Sequence, residues 1–312
     1  MPVWLDDVLF TYGNLVHALG VNGLLALSMY VVLAVGQLSL GQAAFMGLGA
    51  YSSALMTLKL GWPFWAVLPL SVVVPVLFAL AVGGPTLRLS GVYLAIATIG
   101  LGEVLRSVYL NVDYVGGALG LSGIPERANA FLIHALLLAA VLVLWLVARS
   151  RVGRAMEAMR EDEVAAESMG VDVRRYKMGA LLASAALAGL AGCLSAHVSS
   201  FIGPNEYGFE PAVTVLSFAL LGGIGNPVAP VLGAWVLTLL PEVLRGFSDV
   251  RLVVNGLIIV AAVLFLPRGL FGARMRRVAA RVRAGRPGAD SGAGSQPGSR
   301  ADPHARPGAR PT

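Results

Sequence analysis

Long uncharged runs separated by short polar breaks set the pattern of this chain. Residues 8–58 hold no charged side chain, and residues 60–87, 131–148, 178–201, 211–241 and 252–266 are likewise uncharged. Residues 92–110 carry only Glu103 and Arg106. A hydrocarbon core about 30 Å thick takes about 20 apolar residues per helix, so 8–58 and 211–241 are each long enough to cross twice. Eight or nine spans follow directly, and breaks inside the runs widen this to about 8–10 transmembrane helices in an all-α polytopic membrane protein. Pro69, Pro75, Gly83, Pro227 and Pro230 lie inside the runs and mark kinks or breaks, where neighbouring helices satisfy the freed backbone groups.

One stretch interrupts this pattern. Residues 153–170 read GRAMEAMREDEVAAESMG, a dense run of charge in a chain that is 57% hydrophobic and 13% charged. Asp162 is placed as an N-cap, with Glu163 in the first turn, Ala165 and Ala166 as strong helix formers, and Gly170 as a left-handed terminator. The pattern predicts a two-turn helix over 163–169. Upstream, Met156 and Met159 at i, i+3 form an apolar stripe on a helical extension from 149 to 160. The result is an acidic, methionine-bearing knob. It suits a docking element, since methionine adapts to a partner's groove, and equally a solvated loop helix.

Charge fixes the expected orientation. Ten of the 23 basic residues but only two of the 17 acidic ones follow Leu266, so the remainder is slightly acidic and offers no folded basic surface to nucleic acid. Lys and Arg collect in cytoplasmic loops, and the 149–177 loop holds seven of them, so this loop and the tail both read as cytoplasmic. Five spans before the loop put the N-terminus outside, with Arg88 in a cytoplasmic turn and Asp113 and Glu126 in outer loops. Asp6 and Asp7 precede any Lys or Arg, unlike a cleaved signal peptide, so the first helix is expected to stay in the chain. The chain thus divides into a transmembrane domain over 8–267, containing the 149–177 loop, and a basic tail over 268–312. The tail is rich in Gly, Pro, Ser and Arg and is expected to be mostly disordered, its charges available to anionic lipid.

Candidate chemistry is sparse. Cys193 is single, and His17, His134, His197 and His304 are too scattered for a metal site. A P-loop needs G-x-x-x-x-G-K-[ST], yet the only lysines, Lys59 and Lys177, follow Leu58 and Tyr176. No catalytic cluster appears either, so the chain is expected to be no enzyme and to carry no cofactor of its own. Polar residues that a lipid-facing helix would not keep are Gln37, Ser39, Gln42, Ser52 and Ser53, with Asn226 and Thr238 further on. They are candidates for a substrate pathway, or for close helix packing among the many small residues around them. Glu103 and Arg106, at i, i+3, read as a structural ion pair or as a gate. Residues 41–55 align without gaps to 225–239, matching Gly41 to Gly225, Gly49 to Gly233 and Leu55 to Leu239, which suggests an internal repeat.

Several segments together resemble a known family. SLGQAAFMGLGAY (39–51), LRLSGVYLAIATIGLGEVLR (87–106), GGALGLSGIP (116–125), the 153–177 run, LLGGIGNPVAPVLGA (220–234) and LFLPRGLFG (264–272) look like the permeases of branched-chain amino acid importers of the ATP-binding-cassette class, the LivM-like type. The resemblance implies a type II-like permease subunit in a bacterial plasma (inner) membrane. It implies that the short helix is a coupling helix seated in an ATPase subunit, with Glu163, Ala165, Ala166 and Gly170 as its contact residues and Met156 and Met159 beside them. The family pattern E-A-A-x-x-x-G falls on residues 164–170, where Val164 takes the place of the acid and Glu163 precedes it. The resemblance also implies a second related permease, two ATPase subunits that bind ATP and Mg, and an extracytoplasmic binding protein. The substrate is then leucine, isoleucine, valine or a relative. Permeases of urea, short amides or other amino acids share the pattern, and a carrier working alone through Glu103 and His197 is the remaining alternative.

Overall fold

A computed structural model describes residues 3–243, with side chains from Gly13 to Glu242. The span expected at 252–266, the 264–272 segment and the tail lie outside the described residues. Among those described, ten α-helices account for most of the chain. Five precede the polar stretch: α1 Val3–Ala34, α2 Gln42–Leu60, α3 Phe64–Thr86, α4 Gly91–Asn111 and α5 Ala130–Arg149. The stretch itself forms α6 Arg151–Glu161 and α7 Glu163–Ser168, and α8 Val173–Ser199, α9 Phe209–Gly222 and α10 Val228–Val243 follow.

Length and apolarity let 13–34 of α1, all of α3, α4 and α5, and α8 cross a membrane. The chain is therefore an all-α polytopic membrane protein. α2 has 19 residues, about 28 Å at 1.5 Å per residue, close to a full crossing. The long run over 211–241 divides at 223–227, where Gly223 takes φ +95°, into helices of 14 and 16 residues. Each falls short of the about 20 residues of an upright span. The first run divides at 35–41, where Gly36 has φ +76° and Gln37 and Val35 both hydrogen-bond back to Val32.

α1 and α8 form the centre. α8 lies against α1, α2 and α3, while α1 lies against α8, α10, α5 and α9. Glycine makes these crossings close: a Cβ on Gly49 of α2 would overlap the Gly189 backbone of α8, and one on Gly192 would overlap the Met46 carbonyl. Gly233 meets the Phe218 carbonyl between α10 and α9 in the same way, so Gly49 and Gly233, one matched pair of the 41–55 and 225–239 alignment, both sit at backbone contacts, while the other pair, Gly41 and Gly225, does not. The outer faces are apolar. Phe131, Leu138, Leu142 and Leu146 of α5 are exposed, as a lipid-facing helix requires.

Polar segments collect at the two ends of the bundle. At one, the 35–41 break and the 223–227 break meet α6 and α7, with Arg160 touching both. At the other, a two-residue antiparallel bridge pairs Leu121 with Ile202 and Ser122 with Phe201, joining the loop before α5 to the loop before α9. Cation–ring pairs mark both ends, Arg149 over Trp145 at 3.6 Å and Lys59 over Tyr114 at 3.4 Å.

Candidate functional site

The polar stretch is a helical hairpin built from local caps. Ser150 Oγ accepts the Val152 N–H at 3.1 Å and starts α6 at Arg151, close to the extension expected over 149–160. Asp162 Oδ1 accepts the Ala165 N–H at 3.0 Å and starts α7. Gly170, at φ +86°, ends it: Val171 N–H reaches the Ala166 carbonyl at 3.1 Å and Gly170 N–H the Glu167 carbonyl at 2.9 Å. That pair of bonds is the Schellman arrangement, and Val171 packs back beside Ala166 as the motif requires. Asp172 then caps α8, with Oδ1 accepting the Arg175 N–H at 3.1 Å.

The hairpin has an inward and an outward face. Met159 is 3% exposed and Ala166 1%, and both pack with Tyr30, Val31 and Val35 of α1 and Ala180 of α8. Met156 lies partly buried on the same cluster. The methionine stripe is thus turned toward the chain's own helices and not toward a partner. Periodicity identifies an apolar face but not what covers it. On α7 and its C-cap the exposed apolar side chains are Val164, at 77%, and Met169, at 73%, with Ala165 also exposed between them. Glu163 is held within the chain: Lys177 Nζ donates to its Oε1 at 2.6 Å from the first turn of α8. Lys177 is itself buried, so this contact ties α7 to the bundle. Sequence reasoning missed Lys177, which signals nothing locally beyond being one of two lysines.

The residues expected along a pathway are scattered. Gln42 Nε2 donates to Ser184 Oγ of α8 at 3.3 Å, and Ser39 Oγ accepts the Gly41 N–H at 3.3 Å beside the 35–41 break. Gln37 is buried there with Oε1 unpartnered. Ser52 and Ser53 donate to carbonyls of their own helix, Gly49 at 3.1 Å and Ala50 at 2.9 Å. Asn226 Oδ1 accepts the Val228 N–H at 3.1 Å and starts α10, while Thr238 Oγ1 accepts from Asn22 Nδ2 of α1 at 2.9 Å. Gln37, Ser39 and Gln42, with Asn226 on the 223–227 break, therefore lie at the hairpin end, whereas Ser52 and Thr238 lie further along α2 and α10.

At the opposite end Glu103 and Arg106 pair at 3.0 Å and grip the loop before α9 on both sides of Tyr207. Arg106 Nη2 donates to Asn205 Oδ1 at 2.8 Å, and Glu103 Oε1 accepts the Phe209 N–H at 3.0 Å. Tyr207, on the 3₁₀ turn Pro204–Tyr207, stands against Tyr51 of α2 and Tyr109 of α4. Tyr51 and Tyr109 stack at 4.1 Å between ring centroids, and Tyr207 meets them edge-on at 5.8 and 6.4 Å. All three are at most 4% exposed; the hydroxyls of Tyr51 and Tyr109 have no partner, and that of Tyr207 lies within reach of the Glu206 carboxylate. A buried hydroxyl left unpaired costs about 1–3 kcal/mol. Phenylalanine at position 51 or 109 is therefore expected to raise Tm by roughly 2–4 °C, one lost penalty of about 1 kcal/mol. Thermal melts of the purified variants in detergent check this, and a fall of several degrees would mean that the hydroxyl holds a partner.

His197 lies near this end, fully buried, with Nδ1 donating to the Cys193 carbonyl at 3.0 Å and Nε2 facing Thr57 Oγ1 at 3.2 Å. Both ring nitrogens are occupied, and Glu103 belongs to a different cluster, so the two do not form a proton relay.

Comparison with known proteins accounts for most of the chain. A family model described as the permease component of branched-chain amino acid transport systems matches residues 12–265. The chain is 33% identical over 300 residues to the high-affinity branched-chain amino acid transport system permease protein LivM of Escherichia coli (strain K12), spanning 85% of this chain and 69% of that protein. Identity to the LivM protein of Salmonella typhimurium is also 33%, over 90% of this chain and 72% of that one. A more distant match is the ribose import permease protein RbsC of Haemophilus influenzae, 22% identical over 80% of this chain and 83% of that protein. No solved structure matches the chain significantly.

Proposed function

Because the chain belongs to the family of branched-chain amino acid transport permease components, we propose that it is a membrane-spanning subunit of an ATP-binding-cassette importer for leucine, isoleucine, valine or a close relative. The observation that carries the coupling step is the hairpin over 150–172. Its inner face, Met159 and Ala166, is packed into α1 and α8, and its outer face presents Val164, Ala165 and Met169. A helix of six residues cannot hold itself together in water, so its rigidity comes from this seat and from the Lys177–Glu163 contact. A push on the outer face therefore moves α1 and α8, the two central helices. ATP and Mg belong to partner ATPase subunits in this reading, cargo arrives from an extracytoplasmic binding protein, and a second permease completes the pathway.

Orientation follows from parity. Five helices precede the hairpin, so a cytoplasmic hairpin places the start of α1 on the outer side of a bacterial inner membrane. The exposed apolar faces of α3, α4 and α5 meet lipid or the second permease. Gentle purification from the native membrane, followed by mass spectrometry, tests the assembly. A P-loop ATPase and a second permease are expected in near-equal amounts. The chain alone, from membranes that contain such ATPases, would overturn the reading.

A further inference from the structure

Two unpartnered hydroxyls, of Tyr51 and Tyr109, beside a third that reaches only Glu206 are wasteful if the buried cluster only packs, because phenylalanine would fill the same space without the desolvated group. The surroundings are built to admit these rings. Gly47 leaves the space they occupy: a Cβ there would stand 2.9 Å from Tyr207 Cγ and 3.1 Å from Tyr109 Cε2. Tyr207 sits on a segment fastened by polar contacts that can open and reclose. These are Arg106 to Asn205, Glu103 to the Phe209 N–H, and the two-residue bridge of 121–122 with 201–202. Glu206, the residue before Tyr207, is exposed, and its charge acts on Tyr207 and on Tyr51.

We propose that the hydroxyls of Tyr51, Tyr109 and Tyr207, with the Glu206 carboxylate on their solvent side, form a binding point for the zwitterionic head of the transported amino acid, closed here by the 200–208 segment. Tyrosine hydroxyls donate to the solute's carboxylate and Glu206 accepts from its ammonium, so a zwitterion satisfies the donors that this closed arrangement leaves unpaired. The Glu103–Arg106 pair acts as the clip that returns Tyr207 to its seat after passage. This proposal rests on the importer reading, since it needs an amino acid arriving at the end of the bundle away from the hairpin.

The test uses the complete importer reconstituted in proteoliposomes with its binding protein, and it reads leucine taken up per ATP hydrolysed. The triple variant Tyr51→Phe, Tyr109→Phe, Tyr207→Phe is expected to melt at or above the native Tm and to keep its binding-protein-stimulated ATPase activity. Its leucine per ATP is expected to fall about tenfold, the scale of one or two lost hydrogen bonds to solute. Native leucine per ATP in a well-folded triple variant overturns the site, because water or nothing would then occupy it. Should the triple variant fail to assemble, Glu206→Gln decides, since an exposed side chain has no packing role. A drop of about fivefold or more supports the site, and a native ratio overturns it. A native complex that hydrolyses ATP but takes up no amino acid overturns the importer reading together with the site, which separates the two failures.

Discussion

Gly192→Val is expected to yield a chain that does not assemble its helix bundle. At Gly192 the backbones of α8 and α2 touch: an added Cβ would overlap the Met46 carbonyl oxygen and stand 2.9 Å from its carbon and 3.0 Å from the Ala50 nitrogen. Backbone atoms cannot turn aside as a side chain end does. The helices must then separate, and the separation spreads, because the neighbouring contacts are as tight. Gly49 meets the Gly189 backbone one turn away, and Gly189 stands against the Pro75 ring and the Ser71 carbonyl of α3. Losses above about 4–5 kcal/mol are reserved for such overpacking and buried-polar failures, against a total stability of about 5–15 kcal/mol for a typical domain. Valine also brings two methyl groups where even one carbon has no room. The measurement is recovery of monodisperse protein from membranes by size exclusion, with Gly192→Ala expected to be intermediate. Gly179→Val, on the same helix but with nothing within 4 Å of its Cβ, is the control and is expected to behave as native. Native recovery of Gly192→Val would mean that α2 and α8 do not cross here.

What could be read in the sequence follows the range of the interaction involved. Caps are local, so Asp162 and Gly170 announce the ends of α7 from their own chemistry. Hydrophobic runs are local too, and the five helices before the hairpin follow from them. The break at 35–41 does not, since Leu38 and Leu40 continue the apolar run while Gly36 turns the backbone; the Leu40 N–H is then satisfied by Thr98 of α4 at 2.9 Å. The direction a face points is a property of the whole packing. Met156 and Met159 show a correct stripe, and only α1 reveals that the stripe is already covered. Asn226 and Thr238 stand out as polar residues in an apolar run, yet a polar side chain there serves a cap or an interhelical bond as readily as a pathway. The tyrosine cluster was invisible because its members come from α2, α4 and a loop, each unremarkable in its own stretch. Glu103 and Arg106 could be paired from their spacing, but their hold on residues 205 and 209 could not.

The same added charge is expected to have different consequences on the two faces of the hairpin. Ala166→Glu places a carboxylate in a cluster with Tyr30, Val31, Val35 and Met159, at a position 1% exposed. Arg160, whose charge acts on Tyr30, and the buried Lys177 are already engaged by the Ile224 carbonyl and by Glu163, and a buried charge that lacks a partner of its own costs several kcal/mol. The hairpin is expected to leave its seat while α1–α5 and α8–α10 keep their own packing. Val164→Glu puts the same group two residues earlier on a side chain 77% exposed, so the hairpin stays seated and only its outer surface changes. Limited trypsin digestion separates the cases through Arg160, which in the seated hairpin is partly buried and donates to the Ile224 carbonyl at 3.5 Å. Cleavage there is expected to be at least about tenfold faster in Ala166→Glu and unchanged in Val164→Glu, since cutting follows the population of the opened form. Ala166→Glu is expected to lose the partner ATPase on purification and to lose ATP-driven uptake, because the docking element is no longer held, whereas Val164→Glu restores the acid of the pattern E-A-A-x-x-x-G and is expected to keep both. If Val164→Glu loses its ATPase while its hairpin stays seated, position 164 does not take the acid of the family pattern in this chain. If Ala166→Glu is as resistant to trypsin as the native chain, the hairpin is not anchored through Ala166. The coupling path would then have to run through α6 and the Arg160 contact to the α9–α10 break.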